Sequence, residues 1–290
     1  MTALPELPRT ARRVLRAGLA VGAVLAFGLA VTGTASAQDD TTDASVHPGV
    51  MTRTGPDAAQ CTANFVFSDG TATFLGQAAH CAGTGRSTEV DGCVAGSLPL
   101  GTPVEVEGAT APGRLVYSSW LSMQERGGAD PDTCRFNDFA LVELTPDDAA
   151  RTSPSVPFYG GPAGVAGDGV PTGATVYGYG NSALRQGVAA LRPRTGVSTG
   201  TGGGGWTHTV VSVPPGVPGD SGSGYLTADG RALGVLSTLN LAPAPGTNGI
   251  SDLRKILDYA NGPGGFGGSL RLVEGDRPFT PQPVPIDPAT

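Results

Sequence analysis

From Cys61 onward the chain is written as short β-prone runs, each cut off within a few residues by Gly, Pro or Asp. Asn64–Phe67, Thr71–Leu75, Pro103–Val106 and Phe139–Leu144 form a first group, separated by turn signals such as Ser68-Asp69-Gly70. A Pro- and Gly-rich stretch from Pro146 to Gly173 reads as a connection. Strand-like runs then resume at Thr175–Tyr179, Thr207–Val213, Gly222–Thr227 and Leu233–Leu239. Runs of this length and spacing predict an all-β chain, an antiparallel barrel or sandwich. One segment has helical periodicity. Ser251–Ala260 places Leu253, Ile256, Leu257 and Ala260 on one face, with Ser251 as N-cap and Gly262 as stop. The run Gly202–Gly205 lacks the strand-loop-helix frame and the Lys of a phosphate loop, and reads as a flexible loop.

The first 37 residues read differently. Arg9, Arg12, Arg13 and Arg16 precede the uncharged apolar run Ala17–Val31, and Ala35-Ser36-Ala37 follows. Basic, apolar and small segments in that order predict a secretory signal peptide. The apolar run is shorter than the roughly 20 residues that cross a bilayer. Cutting after Ala37 leaves 14 basic and 24 acidic side chains, a formal charge of −10. Such a charge argues against nucleic acid as a partner. No later apolar stretch reaches spanning length, so no membrane association is expected once the signal is removed. Cys61, Cys81, Cys93 and Cys134 are an even set in an exported chain, which predicts two disulfides with three possible connectivities. No pair has CxxC spacing, and no metal site is read from them.

Three local contexts carry chemistry. In Gln77-Ala78-Ala79-His80-Cys81, small neighbours let the His80 ring sit at the mouth of a cleft, and the adjacent Cys can pin the turn. In Asn137-Asp138-Phe139-Ala140-Leu141-Val142, a carboxylate stands at the entry to an apolar strand. A shielded Asp needs a partner, and an imidazole that becomes cationic in turnover is one. In Pro218-Gly219-Asp220-Ser221-Gly222-Ser223-Gly224, glycines flank a serine. A tight loop there can aim the Gly219 and Ser221 N–H groups at one oxyanion beside the Ser221 hydroxyl.

These three segments, in the order His, Asp, Ser, closely resemble the signatures of the chymotrypsin/trypsin-like serine peptidases, in the style of their secreted bacterial members. The resemblance runs from Cys61 to Gly262, about 200 residues. It implies two antiparallel β-barrels with a cleft between them and a closing C-terminal helix. His80, Asp138 and Ser221 would be the catalytic residues, and Gly219 and Ser221 would form the oxyanion hole. Ser237, Thr238 and Leu239 fall where the family's strand pairs with bound peptide. Pro215 falls at the floor of the pocket for the residue before the cut. The segment Val211–Gly219 holds no acid and Leu239 narrows the pocket, so cleavage is expected after small or medium apolar residues. Cys61–Cys81 would tie the strand before His80 to its turn, which leaves Cys93–Cys134. No Ile-Val-Gly-Gly start precedes Cys61, and Ser223-Gly224 stands where Gly-Pro is commoner.

The organisation expected is a signal peptide over residues 1–37, a loosely ordered polar segment over 38–57 and a first barrel over 58–150. The linker, second barrel and helix occupy 151–262, and an unanchored Gly/Pro-rich tail occupies 263–290. The function implied is a secreted, monomeric serine endopeptidase acting on polypeptides without cofactor or metal. A silent binding module on the same fold is the alternative. An esterase is disfavoured, because its usual order is Ser, Asp, His and its fold is rich in helices.

Overall fold

The computed structural model describes residues 44–56, 59–86, 89–167, 169–240 and 246–282. The expected signal peptide, residues 1–37, lies outside the described residues. Among those residues, no helix is long and apolar enough to cross a membrane.

The first group of runs forms β1 (Met51–Thr54), β2 (Cys61–Thr62), β3 (Val66–Ser68), β4 (Thr73–Gln77), β5 (Pro103–Val106), β6 (Gly113–Ser118) and β7 (Ala140–Glu143). With β14 (Arg271–Leu272) they make an eight-stranded sheet in the order β14-β3-β4-β7-β6-β5-β1-β2. Every named strand pair is antiparallel, as in β4–β7, where Leu75 faces Val142. Phe65, Phe67, Leu75, Leu115, Phe139 and Leu141 fill its core with no solvent exposure. Phe67 meets Phe139 edge-on at 5.3 Å.

The second group forms β8 (Thr175–Tyr179), β9 (Pro193–Gly202), β10 (Thr207–Val213), β11 (Gly224–Thr227), β12 (Ala232–Asn240) and β13 (Thr247–Asp252). These close into a barrel in the order β10-β13-β12-β11-β8-β9. Strand β10 shows the period-two logic: His208, Val210 and Ser212 point inward and are buried, while Val211 and Val213 are exposed. Val176, Val210, Tyr225, Leu233 and Ile250 pack inside.

The all-β expectation holds, with three differences in detail. Three short helices join the expected one: α1 (Ser119–Glu125), α2 (Pro131–Phe136) and α3 (Pro146–Ala149). Helix α2 starts on an Asp130 cap with Pro131 at its first turn, a start signal too short for periodicity to reveal. The expected helix is α4 (Leu253–Asn261), and its cap is Asp252, whose carboxylate accepts from Lys255 N–H, rather than Ser251. The Gly202–Gly205 run is a packed turn between β9 and β10. Gly203 has φ +55°, and a Cβ there would lie 2.4 Å from the Phe136 ring.

The two ends of the chain depart furthest. Met51–Thr54, placed in the loosely ordered segment, is a strand paired with both β2 and β5. The tail from Pro263, expected to have no apolar anchor, has several. Phe266 stacks edge-on against Phe74 and Tyr117 at 5.5 and 5.8 Å. Leu270 is buried. Arg271 pairs with Ser68 in the sheet. Asp276 then accepts from Ser153 and Ser155, and Phe279 stacks on Tyr177 of the barrel. Single aromatic residues among glycines carry no period, so this strap was invisible to pattern reading. Phe266→Ala should cost about 2 kcal/mol in urea unfolding, and a chain ended at Gly262 should lose more. A truncated chain with an unchanged midpoint would show that the strap adds no stability.

Candidate active site

His80 lies on a 3₁₀ turn, Ala79–Ala82, that leaves β4. Ala78 and Ala79 are fully buried, so small side chains let this turn pack tightly, while the His80 side chain stays one-quarter exposed. Cys81 is bonded to Cys61, and Cys93 to Cys134, which matches the expected pairing. The first bridge fastens the turn to β2; the second joins the loop after it to α2.

Asp138 stands just before β7 and is nearly buried. The Ser119 hydroxyl fixes its neighbours by donating to Asn137 O and accepting from Phe139 N–H. The carboxylate grips His80 twice: Oδ1 accepts the backbone N–H at 2.9 Å, and Oδ2 pairs with Nδ1 at 2.6 Å. That pairing puts the imidazole proton on Nδ1 and leaves Nε2 as the free base. Burial alone would raise the Asp138 carboxyl, but the His80 charge and its hydrogen bonds, with the Ser237 hydroxyl, hold it below the usual range. Burial would lower His80, and the Asp138 charge overrides it, raising His80 above 6.5.

Ser237 Oγ donates to Asp138 Oδ2 at 2.5 Å. It belongs to β12 in the second barrel, at a register shift between Leu236 and Thr238 opposite Ile250 and Gly249. A bulge re-aims one side chain of a strand, here across the cleft onto the carboxylate. The sequence reading placed Ser237 among peptide-pairing residues and missed this contact. A bulge leaves no mark in composition.

Ser221 sits in a turn framed by Gly219 at φ +95° and Gly222 at φ +89°. A Cβ on Gly222 would lie 2.6 Å from Thr62 O and 2.9 Å from Ala78 N, so the serine turn is pressed against the turn that bears His80. Thr62 N–H donates to Ser221 O, and Asn64 Nδ2 donates to Gly222 O. Three neighbouring amides are used inside the chain: Asp220 N–H to Val217 O, Gly222 N–H to Leu236 O and Ser223 N–H to Asp220 O. Among the described residues, the Gly219 and Ser221 amides donate to nothing in the chain. No direct hydrogen bond joins Ser221 Oγ to His80 among them; such bonds commonly tighten only with substrate in place.

Asp220 has no solvent exposure and lies between two arginines, Arg185 at 2.6 Å and Arg194 at 2.9 Å. It also accepts from the Ser182 and Val217 N–H groups. Burial pushes its carboxyl up, and the Arg194 charge with the Arg185 bond brings it below 3.8. The stability it confers is therefore full above that value and is lost as pH falls through the lowered one. Neither arginine was singled out in sequence, since each lies far along the chain from Asp220.

The remaining residues fall as follows. Pro215 is exposed, and its carbonyl accepts from Arg185 at 2.8 Å. Leu239 is 40 % exposed at the outer end of β12, beside half-buried Thr238. His208 is buried and pairs with Asp252 at 2.8 Å, tying β10 to the cap of α4. His47 Nδ1 lies 2.8 Å from Pro48 O, and its carbonyl accepts from Val50 N–H.

No family model and no curated protein matches this chain. Several solved structures are similar to it. Thermobifida fusca protease A aligns at 20% identity with a TM-score of 0.49, covering 79% of this chain and 99% of its own. A Nocardiopsis protease aligns at 19% and 0.46, covering 78% and 98%. Cellulomonas bogoriensis chymotrypsin aligns at 20% and 0.45, covering 79% and 98%.

Asp220→Asn would leave two buried guanidinium groups without a counter-charge. A loss of about 3–5 kcal/mol is expected in denaturant unfolding. An unfolding curve matching wild type would refute the pairing.

Proposed function

We propose that the chain is a secreted serine endopeptidase in which Ser221 is the nucleophile, His80 the general base and Asp138 the group that orients the base. The observation that carries this reading is the convergence on Asp138. Its carboxylate takes two bonds from His80 and one from Ser237 across the cleft, beside a serine turn with two unspent amides. Ser221 Oγ attacks the scissile carbonyl as His80 Nε2 takes its proton, and the same proton later goes to the leaving amine. Asp138 holds Nδ1–H and stabilises the imidazolium. The Gly219 and Ser221 N–H groups receive the oxyanion. Water then releases the acyl group by the same proton path.

Wild-type protein lacking residues 1–37 should be labelled by a fluorophosphonate at Ser221, and Ser221→Ala should be neither labelled nor active. An unlabelled wild type would favour the silent binding module instead. His80 must be neutral to act as base, so kcat/KM should fall as pH drops through its raised value, with the acid limb above 6.5. Asp138→Asn should move that limb to lower pH and reduce kcat by at least about a hundredfold. An unmoved limb would remove Asp138 from this role.

The pocket for the residue before the cut is bordered by Pro215, Leu239 and the peptide-pairing Thr238. Behind Pro215 stands the Arg185 guanidinium, which repels a basic side chain. Cleavage after Ala, Val or Leu is expected. A tenfold or larger preference for Arg or Lys over Leu in matched substrates would overturn this specificity.

A further inference from the structure

We propose that Ser182 is a positioning residue for the oxyanion site, holding the Pro218–Gly219 peptide in the one orientation that aims the Gly219 N–H into the cleft. The inference rests on the peptidase reading above and adds a residue to it.

In a trans peptide the C=O and the following N–H point in opposite directions. Fixing the Pro218 carbonyl therefore fixes the Gly219 amide. Ser182 Oγ donates to Pro218 O at 2.6 Å. Its own direction is settled, because the same oxygen accepts from Leu184 N–H at 3.1 Å and so spends its proton on Pro218. The Ser182 backbone is held as well, its N–H donating to Asp220 Oδ1 at 3.0 Å. The side chain is buried, so no water competes for the carbonyl from that side.

Gly219 is where such a restraint is needed. At φ +95° it takes a conformation that only glycine adopts freely, and the same freedom lets the preceding peptide turn over at low cost. A Cβ on Gly219 would lie 2.8 Å from Ser182 Oγ and 3.0 Å from Gln60 Oε1, so both side chains pack directly behind it. Gln60 secures the next peptide. Its Nε2 donates to Gly219 O at 3.1 Å and to Asn181 O at 2.8 Å, while Oε1 accepts from Ala183 N–H at 2.8 Å. Thr62 Oγ1 adds a second donor to Gly219 O at 2.8 Å. The carbonyls on both sides of Gly219 are thus tied to the segment 181–185 and to β2, and its amide is left unspent.

The test compares wild type, Ser182→Ala and Ser182→Thr. Ser182→Ala should lower kcat about tenfold or more with KM within twofold. A peptide boronic acid, which forms a tetrahedral adduct, should lose affinity by the same factor as kcat/KM. Ser182→Thr keeps a hydroxyl and should restore most of the rate. A kcat within twofold of wild type in Ser182→Ala, or a loss confined to KM, would overturn the assignment. Should Ser182→Ala fail to fold, Ser182→Cys, which keeps the side chain's size and weakens its donor, carries the same test: kcat reduced at constant KM supports the clamp, and unchanged kcat refutes it. Fluorophosphonate labelling of wild type keeps the two ideas apart. No labelling sinks the peptidase reading, whereas labelled wild type with a fully active Ser182→Ala sinks only the role of Ser182.

Discussion

The loop that presents Ser221 takes its shape from one buried carboxylate beneath it. Asp220 has no contact with solvent, and an isolated charge there would be driven to neutralise. Its partners are Arg194 on β9, Arg185 and the Ser182 amide on the turn before β9, and the Val217 amide in its own loop. Satisfying the charge therefore fixes three segments against one another. Every one of these partners comes from the barrel half of the chain. The amino-terminal segment is engaged elsewhere, with Val46 bridged to Thr152 and Gly49 packed on the Tyr179 ring. The serine turn is thus organised by these barrel groups.

The first sheet then brings His80 to that loop. The connection is made by backbone as much as by side chains: Thr62 N–H reaches Ser221 O, Asn64 reaches Gly222 O, and the Cys61–Cys81 bridge fastens β2 to the His80 turn. In return the barrel sends Ser237 across to Asp138. Each half thus fixes a side chain or turn of the other. A relative shift of the two by an ångström would break hydrogen bonds on both sides of the cleft at once.

Most of the strands were legible because period-two burial writes itself into residue type. Pro103–Val106, Thr175–Tyr179 and Thr207–Val213 have the boundaries read from sequence. The helix α4 was legible for the same reason at the longer period. The residues His80, Asp138 and Ser221 could be picked out only because each has a distinctive local setting. What escaped was set by distance along the chain. Arg194 and Asp220 meet through barrel closure, Ser237 faces Asp138 through a register shift, and Phe266 finds Phe74 across 192 positions of sequence. Neither β1 nor β14 announces itself: Met51-Thr52-Arg53-Thr54 carries a single apolar residue, and Arg271-Leu272 spans only two positions. The helix cap moved by one residue because Ser251 and Asp252 are both good caps, and the register of β13 decides between them.

The strap after α4 bears on how the molecule is made. Strand β14 lies beside β3, so a segment after α4 pairs with one of the early strands, and Phe279 then reaches the barrel. Contacts between residues so far apart in sequence form late and slowly. During synthesis from the amino end, the sheet and the barrel emerge before the segment that fastens them. Strap contacts formed after the folding barrier contribute chiefly to the height of the unfolding barrier. The strap then acts as a closing stitch. Persistence of the folded state in the presence of proteases would be governed by how rarely that stitch comes undone, a property of rate rather than of equilibrium.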